Sequence, residues 1–131
     1  MSVEIEGMHE LIRRIEQEYG EAKMLKVKEN ALRKGANYFR DTLRENFVLF
    51  KDTGASIEEM TLTQPYSVHG STTTIKVHWR GPHERYRIIH LNEYGTVKNA
   101  NPRGKGTIAR TIIATRKPYE QIIKESLRGD L

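Results

Sequence analysis

The sequence contains no cysteine, which excludes disulfide bonds and thiolate metal sites. Long apolar runs are missing as well, because the longest span only three or four residues, as in residues 47–50. Such runs are too short for a signal peptide or a membrane span. We therefore expect a soluble protein that is made in the cytoplasm and has no membrane partner.

The length and charge balance predict one modest, positively charged domain over residues 1–131. Apolar residues make up 37% of the chain and charged residues 30%, so an exposed face can be completed by copies of the chain or by a partner. The formal net charge is +5. The excess lies in residues 76–117, where ten lysines and arginines accompany only Glu84 and Glu93. This distribution suits contact with phosphates or with an acidic protein surface.

Apolar spacing in the first fifty residues predicts two amphipathic helices. The first covers residues 8–19 and ends at Gly20. The second is longer, and its apolar face carries Leu25, Leu32, Ala36, Phe39, Leu43 and Phe47. Gly35 inside this helix costs about 1 kcal/mol relative to alanine, which indicates either close packing or simple tolerance.

The rest of the chain predicts an α+β fold with a small antiparallel sheet. β-forming residues favour strands near 57–64 and 73–80, and a short helix is expected at 84–94, with Gly95 as a terminal left-handed residue. Residues 96–107 read as a long, basic, mobile loop. A C-terminal helix is expected over 118–128, with Pro118 in its first turn. Residues 107–115 fit either a helix or a strand.

The stretch Asp52-Thr53-Gly54 resembles the catalytic loop of an aspartic protease, which pairs two carboxylates across a dimer. Such a loop lies between strands, whereas a helical pattern precedes Asp52 here. We therefore interpret the motif as structural. Asp52 is expected to accept backbone hydrogen bonds where the long helix ends, and Gly54 to adopt a positive φ.

Other sites with catalytic or binding chemistry lack their required spacing. His83-Glu84 begins like a zinc protease signature, but the position of the second histidine is Arg87. The glycines at 104 and 106 do not form a nucleotide-binding loop, and no serine or lysine nucleophile has an evident base. We expect no enzyme activity, no catalytic residue, no metal site and no cofactor.

The basic segment leaves a nucleic-acid-binding function open as an alternative. Candidate partner or DNA contacts are Lys98, Arg103, Lys105 and Arg110. No recognition helix, zinc finger or aromatic sheet signature accompanies them. Glu93 stands out in the same region, either as a solvated carboxylate or as a structural ion pair with Arg110 or Arg87 that fixes the start of the loop.

The order of these features resembles the tail-component family of tailed bacteriophages and prophages. Its marks are D-T-G after a long helix, and later a tyrosine followed after seven residues by E-F/Y-G-T. The corresponding residues here are Asp52, Thr53, Gly54, Tyr86, Glu93, Tyr94, Gly95 and Thr96. The family often has a Pro-Phe pair before its last helix, which this sequence lacks.

The resemblance implies an α+β virion protein without catalysis, acting in head-to-tail joining or tail completion at the neck. It implies a ring-shaped homo-oligomer in contact with connector and tail proteins, with the residues of both motifs serving structure and assembly. Such a protein is made in the host cytoplasm and located in the virion. If the basic loop lines the channel, it meets DNA non-specifically.

Overall fold

Two long antiparallel helices and a small sheet form the architecture of the chain. The structure is a computed structural model that describes residues 3–6, 13, 17, 20–50, 53–68 and 72–130. In chain order its elements are β1 (Val3–Glu6), α1 (Glu21–Phe47), α2 (Ala55–Glu58), β2 (Met60–Leu62), β3 (Tyr66–Val68), β4 (Thr72–Trp79), α3 (Ile89–Tyr94) and α4 (Thr107–Asp130). Short 3₁₀ turns occupy Val48–Phe50 and Arg85–Arg87. The predicted α+β class is confirmed.

The sheet is antiparallel and has β4 at its centre. β1 pairs with one edge of β4, with Val3 opposite Val77. β2 and β3 follow one another along the other edge, where Met60 lies opposite Trp79. Alternation along β4 turns Ile75, Val77 and Trp79 into the core, as the sequence pattern predicted.

The core has two parts, because α1 uses different faces along its length. Its second half packs on the sheet through residues that include Phe39, Leu43 and Phe47. Its first half packs on α4, where Met24 and Val27 join Ile123 and Leu127. The change of partner explains why Leu25, predicted to lie in the core, is 48% exposed. Met24 is buried in its place.

Close packing explains the glycine inside α1. A Cβ added to Gly35 would lie 2.5 Å from Cε2 of Tyr119 on α4. The two helices approach at this point, and further contacts join Asn30 to Asp130 and Asn46 to Thr111. Of the two interpretations of Gly35, the structure therefore supports packing.

The strand predictions were only partly correct. Residues 57 and 58 belong to the one-turn helix α2, so the predicted strand at 57–64 is reduced to Met60–Leu62. The strand at 73–80 is confirmed as Thr72–Trp79. β1 and β3 were missed, because segments of four and three residues give too little alternation to stand out.

The last helix is longer than predicted. It runs from Thr107 to Asp130, which settles residues 107–115 as helix and puts Pro118 in its interior. Pro118 cannot donate to the carbonyl of Ala114, but both residues are exposed, so that carbonyl can bind water. The predicted first helix, residues 8–19, lies almost entirely outside the described residues; Arg13 and Gln17 within it are helical.

Candidate functional site

The segment after the long helix begins with the DTG motif. Asp52 lies outside the described residues, so its role in closing the helix stays a prediction. The Thr53 hydroxyl accepts a hydrogen bond from the Ala55 amide at 3.3 Å. Gly54 has the predicted positive φ, 84°, and its carbonyl accepts the amides of Ile57 and Glu58 at 3.1 and 3.0 Å. Gly54 thus starts α2, which leads directly into β2.

The helical surroundings of this motif differ from those of a protease loop. α1 and the 3₁₀ turn Val48–Phe50 precede it, and α2 follows it. A catalytic loop of the aspartic protease type lies between strands, as argued from the sequence above. Thr53 and Gly54 are the described residues of the motif, and both accept hydrogen bonds from backbone amides of α2.

Glu59 is a buried carboxylate that the sequence did not single out. It is 3% exposed, and its two oxygens accept the backbone amides of His83 at 2.6 Å and Arg85 at 3.0 Å. Gly81 lies so close that an added Cβ would be 2.7 Å from the Glu59 Cγ atom. Through these hydrogen bonds the carboxylate holds the turn after β4 next to the residue that precedes β2.

Glu93 holds the beginning of the last helix. It is 5% exposed, and its two carboxylate oxygens accept the amides of Ile108 at 2.8 Å and Ala109 at 3.0 Å. These amides belong to the first turn of α4, where no helical carbonyl is available to them and negative charge is favoured. The Glu93 carbonyl also accepts the Gly106 amide at 2.9 Å.

The predicted ion pair of Glu93 is therefore wrong, because its hydrogen bonds go to backbone amides at the far end of the loop. Among the described residues no salt bridge joins it to Arg110 or Arg87. Arg110 Nη1 donates to the Lys105 carbonyl at 2.7 Å, and Arg87 lies 3.7 Å from the Glu84 carboxylate. Two backbone amides satisfy the Glu93 charge without a cation.

The two tyrosines of the second motif face outward. In this segment Ile89 and Glu93 turn inward. Tyr94 is 66% exposed, and Tyr86 and Leu91 are exposed as well. Arg87 donates a hydrogen bond to the Tyr86 hydroxyl, and this bond raises the pKa of Arg87. The negative charge of Glu84 raises it further.

Gly95 and Thr96 turn the chain away from α3. Gly95 has the expected positive φ, 81°, but its ψ of 175° is not the left-handed helical value that was predicted. An added Cβ there would lie 2.5 Å from the Ala100 carbonyl oxygen. Thr96 and Asn99 exchange two hydrogen bonds, from the Thr96 amide to the Asn99 carbonyl and from the Asn99 amide to the Thr96 hydroxyl.

Three of the four basic candidates are bound to the chain itself. Arg103 donates to the Leu49 carbonyl at 3.0 Å, and Lys105 to the Ala100 carbonyl at 2.8 Å. Arg110 donates to the Lys105 carbonyl, as described above. Lys98 is exposed and has no hydrogen bond or ion pair to another residue in the described part of the chain. The predicted loop is irregular over residues 95–106, and Thr107 already belongs to α4.

A cavity of about 160 Å³ is bordered by both motif segments. We call it the hinge cavity. Its apolar wall includes Phe47, Phe50 and Ile88, and its polar wall comprises Ser56, Arg85 and Asn92; Gly54 and Ile57 also line it. Arg85 donates from Nε to the Ser56 hydroxyl at 2.8 Å. Gly54 comes from the first motif segment, and Asn92 directly precedes Glu93 of the second.

Within the described ranges, no group of three histidine, aspartate or glutamate side chains is arranged to hold a metal ion. Burial lowers the pKa of His78, and the positive charges of Arg80 and Lys76 lower it further. No helix in the part of the chain that the structure describes is long and apolar enough to cross a membrane.

Comparison of the chain with protein-family models, curated proteins and solved structures gave no match. Its function is therefore inferred from its own residues and their arrangement.

Proposed function

We propose that the chain is a non-enzymatic structural protein of a phage or prophage virion. It acts in head-to-tail joining or tail completion as a ring-forming oligomer, and its neighbours are connector and tail proteins. One observation carries the proposal: the two motif segments that resemble the tail-component family border the same cavity. Gly54 and Asn92 line one cavity, and the adjacent Glu93 caps the last helix.

The buried carboxylates support a structural role rather than catalysis. Glu59 and Glu93 each accept two backbone amides and are almost completely buried. A general acid or base has to reach the proton that it transfers. These two side chains are instead enclosed and fully engaged with the backbone, and they keep separate parts of the chain together.

The outer surface supports contact with other proteins. Large apolar side chains are exposed along α3 and the following turn, and again near the end of α1 and the start of α4. They are Tyr86, Leu91, Tyr94, Val97, Val48, Leu49, Ile112 and Ile113. Exposed apolar groups that are clustered favour protein interfaces. In an oligomer many copies of a weak contact add to a stable attachment.

Nucleic-acid binding is the second candidate function, and exposed basic residues favour it. Their hydrogen bonds make it the weaker candidate, because Arg103, Lys105 and Arg110 already donate to carbonyls of this chain. Lys98 alone among the four extends without such a bond. Non-specific contact with DNA in a channel is compatible with the assembly function and needs no base-reading element.

Deleting the gene from the genome that encodes the chain tests the proposed function. After particle production is induced, electron microscopy should show heads and tails that are separate or incompletely finished. Supplying the intact chain should restore joined particles, and supplying the Asp52→Asn variant should do so too, since no catalytic carboxylate is required. Normal particles in the deletion strain would contradict the proposal.

A further inference from the structure

Tyr94 projects from the surface of the protein. Its side chain is 66% exposed, and its hydroxyl makes no hydrogen bond to any described residue. Leu91 lies three residues earlier in α3, on the same side of the helix, and is also exposed. A tyrosine ring that stays in water adds little to the stability of the fold. The ring is available to another molecule.

The hinge cavity is large enough to take one aromatic ring. Its volume of about 160 Å³ is close to the ~150 Å³ of an apolar protein cavity that binds benzene. Phe47 and Phe50 provide two tilted rings with centroids 4.9 Å apart. A third ring packed against them can adopt the offset or edge-to-face arrangement that aromatic pairs favour.

The polar wall of the cavity fits a hydroxyl at the tip of that ring. The Asn92 side-chain amide makes no hydrogen bond to another residue in the described ranges and lines the cavity. Its oxygen can accept a hydrogen bond from a phenol, and its nitrogen can donate one. A tyrosine therefore matches the cavity better than phenylalanine, which has no polar tip, or than an aliphatic side chain.

The ring and the cavity lie on different sides of the same short helix. Asn92 and Tyr94 are two residues apart, which corresponds to a rotation of about 200° around a helix. Tyr94 thus points away from the cavity of its own chain. Two different, complementary surfaces on one chain produce a head-to-tail contact, and repeating that contact gives a closed ring when the rotation closes.

We propose that Tyr94 of one copy inserts into the hinge cavity of the next copy. This inference rests on the proposed function, in which copies of the chain form a ring, and it names the contact that joins them. In this contact, Gly54 and Asn92 of one copy line the cavity that holds Tyr94 of the neighbouring copy. The two motifs serve the fold through Gly54 and Glu93, and the assembly through Tyr94.

Sedimentation of purified variants tests the contact in solution. We expect self-association of the intact chain to weaken about thirtyfold in Tyr94→Ala, because a buried aromatic anchor carries much of an interface. Tyr94→Phe, which loses only the hydroxyl, should weaken it about tenfold or less. Tyr66→Ala removes another exposed tyrosine, on β3, and should leave association unchanged.

A mixing experiment tests the head-to-tail geometry. Ile57→Trp should fill the cavity and keep Tyr94, whereas Tyr94→Ala keeps the cavity. Each variant alone should be monomeric, and their mixture should form dimers but nothing larger. If Ile57→Trp does not fold, the absence of cysteine allows a second route. A bismaleimide should then cross-link Leu91→Cys to Ile57→Cys more than either variant to itself.

The proposed contact would be overturned by an intact chain that stays monomeric at millimolar concentration, by a Tyr94→Ala variant that assembles like the intact chain, or by cross-linking without preference for the mixed pair. Binding of free tyrosine-containing peptides of other proteins, without self-association, would assign the cavity to a different partner and also overturn it. Incorporation of Tyr94→Ala into joined particles at the normal level would reject this contact and leave the proposed function intact.

Discussion

Two buried glutamates show how single residues hold this fold together. Removing a carboxylate from water is costly unless its oxygens are hydrogen-bonded. Glu59 and Glu93 satisfy this requirement with two backbone amides each. In both cases the amides belong to a segment far along the chain, so each side chain joins two separate parts of the molecule.

Replacing Glu93 by glutamine should destabilise the protein by about 1–3 kcal/mol. The amide keeps one oxygen for a backbone donor, but its NH₂ group faces the second donor and leaves that donor unsatisfied. The favourable charge at the start of α4 is lost as well. Urea denaturation followed by circular dichroism measures the free energy of unfolding.

Glu84→Gln is the matched control for this substitution. Glu84 is exposed and lies 3.7 Å from Arg87, so the same chemical change there should alter stability by less than about 1 kcal/mol. Equal effects of the two substitutions would show that the hydrogen bonds of Glu93 do not stabilise α4.

The sequence could identify one of these glutamates and not the other. Glu93 stands out because it is one of two acidic residues in a basic stretch. Glu58 and Glu59 are identical neighbours, yet Glu58 is exposed and Glu59 is buried. The difference depends on the turn at residues 81–85 folding back onto β2. No local pattern around Glu59 encodes that contact.

At the scale of elements, α1 and α4 approach each other closely at Gly35. Gly35→Ala should lower stability by about 1–2 kcal/mol, although alanine favours a helix by about 1 kcal/mol. The added Cβ would lie 2.5 Å from the Tyr119 ring, so either the ring or the helices must shift. The midpoint of thermal unfolding measures the effect.

Gly129→Ala provides the comparison on the partner helix. No atom lies within 4 Å of a Cβ added at Gly129, which is near the end of α4. This variant should be as stable as the original protein or slightly more stable. If Gly35→Ala behaves in the same way, the glycine is merely tolerated and the close approach has no energetic consequence.

The elements that were predictable are those with a sustained period. Six apolar residues over more than twenty positions indicated α1, and the alternation of Ile75, Val77 and Trp79 indicated β4. Short strands lacked this signal. Proline favours the first turn of a helix, which is why the sequence predicts a helix that starts at Pro118, whereas the helix passes through this residue and Ala114 is exposed. The short strands depend on tertiary contacts, and the course of the last helix through Pro118 depends on solvent access at Ala114.

At the scale of the whole molecule, the positive charge is the property through which the chain would contact DNA under either candidate function. Lys98→Ala should leave the thermal midpoint unchanged, since Lys98 bonds to no other described residue. If the loop meets duplex DNA, the slope of log affinity against log salt should fall by about 0.9. Titration of labelled duplex DNA at several salt concentrations measures this slope.

Arg103→Ala is the comparison for Lys98→Ala in the same experiment, because it removes a hydrogen bond within the chain as well as a positive charge. Arg103 donates to the Leu49 carbonyl, so its loss should lower stability as well as charge. If replacing Lys98, Arg103 and Lys105 together changes neither particle assembly nor salt-dependent DNA association, the basic loop contacts neither neighbouring proteins nor DNA. The assembly account would then depend on the apolar surface alone.

Analysis of purified particles by quantitative mass spectrometry tests the central claim most directly. If the chain is a structural protein of the virion, its peptides should be present in density-purified particles at a fixed number of copies per particle. That number should be the same in different preparations and should survive a high-salt wash. Absence of the chain from particles that are complete and infectious would contradict the account.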